Sequence, residues 1–583
     1  MRATFLRSLL LLPLLAVAAR PEVAQTSTAG AQSFFESMEV TVVNVDVEVV
    51  DADGRPALGL AAADFEVLED GKPVEITNFS AYEENALEPP AATEESPQSA
   101  PAPSAGLAAE PVAPPPATWI FYVDEVALQP GPRGEILTNV LAFFDRSVRP
   151  GDRTLVADFD GASLKVLSPL GVDSTVARAA IEKLRKTLAP AFVTSGRERI
   201  LRSEILNGST GGGGGRGDPG EAIAGQADRE RLAQEIDAIA DEISDRALRG
   251  YAALRDLLAI VGGLEGRVGL LFANGGFETK PAESLFKLYE SRYGANAQTQ
   301  MRGLDERAAA MQRSYQKTLS AASVGRVTVY SIYAGADRGP GISAEDQGDG
   351  LSLAPSVSTA NPESSSTVAA IATETGGRSF VGAPDLAKRL ERARGDFRTY
   401  YSLGYRPPRE TTGGRHAIEV RVRGVGLKAH SRRAVFERTP AEEASDAAVL
   451  ALLSQSPENP FGVTIEVSPA VRAPKGRGSR VPVEVRVPLR GLTLVPDVAA
   501  HHARLAFHFA LRDPDGGFRR LEPRQIGFDV PNEKLAAALA QYVSMKVDLA
   551  LEPGTFQLGV SVLDEMAGTT SAVVKPVAVA KGK

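Results

Sequence analysis

Cysteine is absent from this 583-residue chain, which excludes a disulfide, a thiolate zinc site and a lipid-modified cysteine. Runs of lysine and arginine are absent too, and the formal net charge is −9. A surface built to neutralise phosphates is therefore not expected, and nucleic acid is set aside as a partner. Beyond the N-terminal segment, no apolar run approaches the ~20 residues that a helix needs to cross a bilayer. Nor is there a Ser–His–Asp order, a Gly-x-Ser-x-Gly elbow, a Walker loop or a His-Glu-x-x-His helix. The chain reads as non-enzymatic, with length for roughly three or four domains.

What is present begins with "MRATFLRSLLLLPLLAVAAR". Arg2 and Arg7 precede an apolar run from Leu9 to Ala19, and small residues follow at Ala18, Ala19 and Ala24. This is the pattern of a secretory signal peptide over residues 1–24. The run is short for a bilayer span, so the mature chain is expected in the periplasm or outside the cell, without a membrane span.

Residues 38–84 read as a small β unit. "VTVVNVDVEVV" alternates apolar and polar residues, the period of a half-buried strand, and "DADG" follows as a turn. "DFEVLEDGKPVEITNFSAYEE" repeats the device around Asp70-Gly71. A Pro/Ala/Glu-rich linker covers 85–117. From Trp119, buried strands alternate with helical patterns: "WIFYVDEV", "TLVADFD", "RVGLLFANGG" and "VTVYSIYAG" are the strands. The longest helical pattern runs from Asp228 to Val261 with apolar residues every three or four positions, a stripe suited to covering a sheet; Gly250 is a candidate kink. Residues 409–438 read as a β-hairpin extension, 439–459 as a connecting helix, and 460–583 as a C-terminal β-sandwich of Ig-like kind.

Five signatures, in this order, carry a family resemblance: "GDRTLVADFDGASLKVLSPLGVDSTVARAAIEKL", "GRVGLLFANGGFE", "VTVYSIYAGADRG", "ATETGGRSFVGAPDLAKRLERARGDFRTYYSLGYRPP" and "HAIEVRVRGVGLKAHSRR". With "ADFEVLEDGKPVEITNF" before them, residues 38–436 resemble the exported von Willebrand factor A-like proteins common in acidobacteria, the VWFA-related family. The resemblance implies an α/β fold: a doubly wound, Rossmann-like A-domain over 118–408, flanked by the β unit and the C-terminal sandwich. It also implies an exported binding or scaffolding role with protein partners.

The same resemblance frames the candidate site. A-domains that bind through a metal carry Asp-x-Ser-x-Ser after the first strand, with a Thr and a second Asp from later loops. A hard cation such as Mg²⁺ takes about six oxygens near 2.0–2.1 Å, which explains the choice. Here the stretch reads Asp124-Glu125-Val126-Ala127-Leu128, so the first acid is kept while Val126 and Leu128 offer no lone pairs. The later loop reads Ala273-Asn274-Gly275 where the pattern has Thr-Asp-Gly. Thr194 and Ser195 are candidates for the hydroxyl-bearing loop. A degenerate site of Asp124, Glu125 and Asn274, with no cofactor, is the expectation; Glu125 alternates away from Asp124. The alternative is a metal-ion-dependent adhesin that holds Mg²⁺ at Asp124 by an unorthodox set.

Other signals have simpler readings. Arg216-Gly217-Asp218 falls in the glycine-rich loop 207–221, and Arg394-Gly395-Asp396 falls in a helical pattern; both are expected by chance in such a composition. Asp51–Gly54, Asp158–Gly161 and Asp513–Gly516 lack the further oxygens of an EF-hand and read as turns. His501, His502 and His508 sit on one strand pattern, where His502 and His508 would stand some 20 Å apart, too far to share an ion.

Overall fold

The computed structural model describes residues 42–84, 111–128, 130–187, 192–207, 219–264, 266–277, 279–294, 302–324, 326–333, 362–382, 385–408, 414–454, 457–472, 478–514 and 516–580. Residues 1–24, read above as a signal peptide, most of the stretch read as a linker, residues 208–218 with Arg216-Gly217-Asp218, and residues 334–361 lie outside them.

The molecule is mixed α/β. Thr118–Asp124 is buried at all of its positions, and so is Val268–Asn274. Such apolar runs need cover on both faces, as strands of parallel sheets do. They form the middle of a six-stranded sheet whose order is Ser379–Val381, Val327–Tyr333, Val268–Asn274, Thr118–Asp124, Arg153–Phe159 and Leu164–Gly171. The first five run parallel and the last antiparallel. Alternate side chains go to opposite faces. Trp119, Phe121 and Val123 meet Leu137, Phe144 and Leu390 from helices Pro130–Ser147 and Leu386–Asp396. Ile120 and Tyr122 share the other core with Leu254, Leu258 and Ile371, from helices Pro219–Val261 and Pro362–Glu374.

The long helix is longer than its pattern promised, 43 residues from Pro219 to Val261, and it runs unbroken through Gly250. At 1.5 Å per residue that is about 65 Å, more than one sheet can cover. Its C-terminal half packs on the sheet through Tyr251, Leu254 and Val261. Its N-terminal half does a different job. Leu232, Ile236 and Ile239 close a separate helical core with Leu201 and Phe286, from helices Phe192–Asn207 and Glu283–Tyr293. The expectation that the whole stripe covers the sheet is corrected in this respect.

The N-terminal β unit does not stand by itself. Val43–Val50 pairs with Tyr400–Tyr405 and Lys428–Ser431, and Ile76–Tyr82 pairs with the other edge of Tyr400–Tyr405. Phe65–Glu69 pairs with Gly414–Val422. Strands from 42–84, from 414–437 and the last strand assigned to 118–408 thus build one body of two four-stranded sheets around Val45, Val47, Phe65, Leu403 and Tyr405. Alternating strands that short cannot cover their own apolar face, and the cover comes from the far side of the chain.

Helix Pro440–Leu453 opens on a capping box between Thr439 and Glu442. Ala448, Val449 and Leu452 join the core of the six-stranded sheet. The same helix presses on the C-terminal strands: a Cβ at Gly559 would stand 2.1 Å from the Ala448 carbonyl oxygen. Those strands form two antiparallel sheets, one centred on Ser479–Pro488 and one on Ala500–Arg512. Val481, Val483 and Val485 from the first meet Leu505, Phe507 and Phe509 from the second in one core.

Candidate functional site

The register sets Val123 beside Ala273 and Asp124 beside Phe159, so Asp124 and Asn274 emerge together at the carboxyl edge of the central strands. Ligands of open α/β sheets gather at this edge. Asp124 is 6% exposed and Asn274 1%. Asp124 Oδ1 accepts from the backbone amides of Val126 (3.2 Å) and Ala127 (3.0 Å). Its Oδ2 accepts from Asn274 Nδ2 at 2.9 Å. Asn274 Oδ1 in turn accepts from the Gly276 amide. Gly275 is needed here: a Cβ would lie 1.8 Å from the Ala127 carbonyl oxygen. The two strand ends are laced together by their own polar groups.

Glu125 is not part of this cluster. It turns to the opposite face and meets Arg133, whose Nη2 donates at 2.7 Å and Nε at 2.9 Å. Arg133 also donates to the carbonyls of Leu184 (2.8 Å) and Thr187 (3.2 Å). The pair is buried, at 6% and 5% side-chain exposure. Of the two positions where hydroxyls would serve a metal, Leu128 is fully buried and Val126 half-buried, with a methyl 3.1 Å from where a Gly161 Cβ would stand. Thr194 and Ser195 belong to helix Phe192–Asn207, with side chains outside the described residues.

Burial pushes the Asp124 carboxyl up to about 6, opposed by its two backbone hydrogen bonds and by the guanidinium of Arg246. The Asn274 amide points the same way as those opposing groups, since a donor aimed at Oδ2 favours the ionised form. Beneath the rim, Asp158 shares the face of Glu125. Burial, then the charges of Glu125 and Asp160, push it up to about 7. Asp158 Oδ1 and Glu125 Oε1 are buried without a hydrogen-bond partner among the described residues.

At the other end of the sheet lies a feature that strand periodicity did not disclose. A cavity of about 180 Å³ opens between the six-stranded sheet and the N-terminal β body, lined among others by Asp46, Glu48, Arg267, Tyr330, Asp396 and Arg432. Arg378 binds Glu48 Oε2 (2.5 Å) and Asp396 Oδ2 (3.2 Å), and the Tyr330 hydroxyl donates to Asp396 (2.9 Å). Burial and the neighbouring Asp396 push the Glu48 carboxyl up to about 8. Arg267 pairs with Asp46 at 3.2 Å and stacks over Phe397 and Tyr400. In "VNVDVEVV" the polar alternates Asn44, Asp46 and Glu48 read as a solvent face; they line this cleft instead. The available signal was that three hydrogen-bonding residues in one row suit a polar partner as well as water.

The remaining signals resolve simply. Asp396 of the second Arg-Gly-Asp is 5% exposed and spent on Tyr330 and Arg378. Asp51, Asp160 and Asp513 each accept backbone amides of their own turns. Their glycines Gly54, Gly161 and Gly516 take positive φ. Strand Ala500–Arg512 is continuous, which keeps His502 and His508 apart.

No family profile and no curated protein matches the chain. Among solved structures it is similar to a structural-genomics target, SoR45, at 13% identity over 21% of this chain and 89% of that one, with a TM-score of 0.15. It is also similar to a Bacteroides uniformis β-glucuronidase at 11% identity, over 31% of this chain and 19% of that one, with a TM-score of 0.14. At such TM-scores neither carries a statement about fold or activity. Among the described residues no helix is long and apolar enough to cross a membrane.

Proposed function

We propose that the protein is an exported, non-enzymatic binding or scaffold protein built on a von Willebrand factor A-like domain with a degenerate metal site. The reading as an A-domain draws on the motif resemblance and accords with the strand order and the helices on both faces. Export draws on the sequence of residues 1–24 alone. The observation that carries the binding mode is the spending of Asp124: both carboxylate oxygens accept protein N–H groups, and Leu128 is packed where a hydroxyl ligand would stand. Three of the roughly four lone-pair sites of the carboxylate are taken by N–H groups, so an ion there has one site on Oδ2 and no hydroxyl from position 128 to complete its shell. Recognition then falls to the shape and charge of the rim loops, which is where variable contacts sit on such scaffolds.

The test is retention of partners from periplasmic and secreted extracts on the immobilised protein, compared with Ala162→Arg at the exposed position that follows strand Arg153–Phe159. Partners retained by the native chain and lost by the variant are the expected result. Retention that ignores the rim, or no retention at all, defeats the proposal. If partner binding needs Mg²⁺ or Mn²⁺ and fails in Asp124→Ala, the adhesin reading takes its place.

A further inference from the structure

A second place in the molecule gathers donors of the kind a metal uses, far along the chain from Asp124. The hairpin from Phe65–Glu69 to Lys72–Val74 turns on two residues, Asp70 (φ 50°) and Gly71 (φ 76°), with Glu69 opposite Lys72. Positive φ at both positions is the I′ turn that Asp-Gly favours. The turn is clamped to strand Gly414–Val422: the Asp70 amide donates to the Ala417 carbonyl (2.8 Å), and Asp70 Oδ1 accepts from the Ala417 amide (2.8 Å). That leaves Oδ2 directed at His416 Nδ1, 2.8 Å away. Glu69 Oε1 approaches the same nitrogen at 3.7 Å. One donor atom from each of Glu69, Asp70 and His416 lies within 4.8 Å of the others.

The geometry points to a divalent-cation site at Glu69, Asp70 and His416, of the zinc or manganese class. Donors around a four-coordinate ion at 2.0–2.1 Å stand about 3.4 Å apart, so separations of 2.8 and 3.7 Å need only small adjustment. One imidazole nitrogen with two carboxylate oxygens suits Zn²⁺ or Mn²⁺, whereas Ca²⁺ and Mg²⁺ prefer all-oxygen sets and Cu(I) prefers sulfur. His416 Nε2 is buried with no hydrogen-bond partner among the described residues, so the two acids at Nδ1 are what orients the ring. The surface histidine His502 makes the contrast. Asp529 meets its Nδ1 at 2.6 Å and Asp497 its Nε2 at 3.4 Å, so those acids flank the ring and cannot share an ion with one nitrogen. At His416 both acids converge.

The ion takes the place of the hydrogen between His416 Nδ1 and Asp70 Oδ2, and in the neutral ring that hydrogen moves to Nε2, so the imidazole binds without a net change of charge. Asp70 is exposed, which leaves coordination positions open to water or to a group on another molecule. The site joins residues 346 apart in sequence, stapling the first hairpin to the β body.

The full chain, stripped of metal by chelator and dialysed, is titrated calorimetrically with ZnCl₂ and with MnCl₂ at pH 7.5. One equivalent of ion is expected to bind, with a rise in melting temperature that a returned excess of chelator removes. Asp70→Asn keeps the turn, since asparagine accepts positive φ, and is expected to weaken binding at least tenfold. His416→Gln is expected to do the same, and His502→Gln to leave binding unchanged. Circular dichroism establishes that each variant is folded. Absence of one-to-one binding, binding that survives both Asp70→Asn and His416→Gln, or binding that follows His502 or Asp124 instead, overturns the proposal.

Discussion

At the scale of single residues, the rim is held by close backbone approach and by buried acids. Gly275 is the tightest point, with the Ala127 carbonyl where a Cβ would go. Gly275→Ala forces the two strand-end loops apart and should cost about 1–3 kcal/mol or more, as overpacking does. Urea denaturation measures it, and a neutral result would mean that the loops can part without loss. Asp158 gives a pH-dependent prediction. Its carboxyl is raised from 3.8 to about 7, so the folded protein holds this proton more tightly than the unfolded chain does. The stability it contributes is full below pH 3.8 and is lost as the pH rises through 7. Asp158→Asn cannot ionise. It should therefore exceed the native chain in stability by about 1–3 kcal/mol at pH 8 and lose that advantage towards pH 4. Parallel stability profiles for the two chains would refute the assignment.

At the scale of elements, legibility followed the range of the forces involved. The central strands were readable because burial on both faces leaves an unbroken apolar run, as in Ile120–Val123. Asp124 and Asn274 were named together because the A-domain resemblance assigns its metal loops to those two strand ends, and the parallel register sets the two ends side by side. The division of the long helix was not readable: Ile236 and Leu254 belong to one periodic stripe, and periodicity says that a side is covered, not by what. The division has a measurable consequence. Ile236→Ala removes a fully buried side chain from the helical core and should cost about 2–4 kcal/mol locally. Hydrogen exchange should accelerate in the N-terminal half of the helix and in Glu283–Tyr293, while the amides of Val268–Asn274 keep their protection. Equal loss of protection in both places would show one cooperative unit instead of two.

At the scale of the whole molecule, the chain closes on itself. Val43–Val50 finds its partners in Tyr400–Tyr405 and Lys428–Ser431, and Leu60 N–H reaches the Tyr401 hydroxyl 341 residues away. Alternation could announce that Val43, Val45 and Val47 needed cover, but the covering residues lie on the far side of the whole α/β segment. The polar row of the same strand lines the charged cavity against that segment, so one strand serves the β core on one face and the cleft on the other. A strand held on both edges and both faces does not depend on its covalent tether. A protease site engineered into residues 85–110 should therefore, once cut, leave residues 42–84 bound to the remainder through native gel filtration. Separation should require denaturant. Expressed alone, 118–408 would leave Tyr401, Leu403 and Tyr405 without their β partners, and should aggregate where a chain spanning 42–583 does not. Release of the N-terminal fragment on simple cutting, or a well-behaved 118–408 fragment, would mean that the β body is a lightly docked accessory and not a structural base for the sheet.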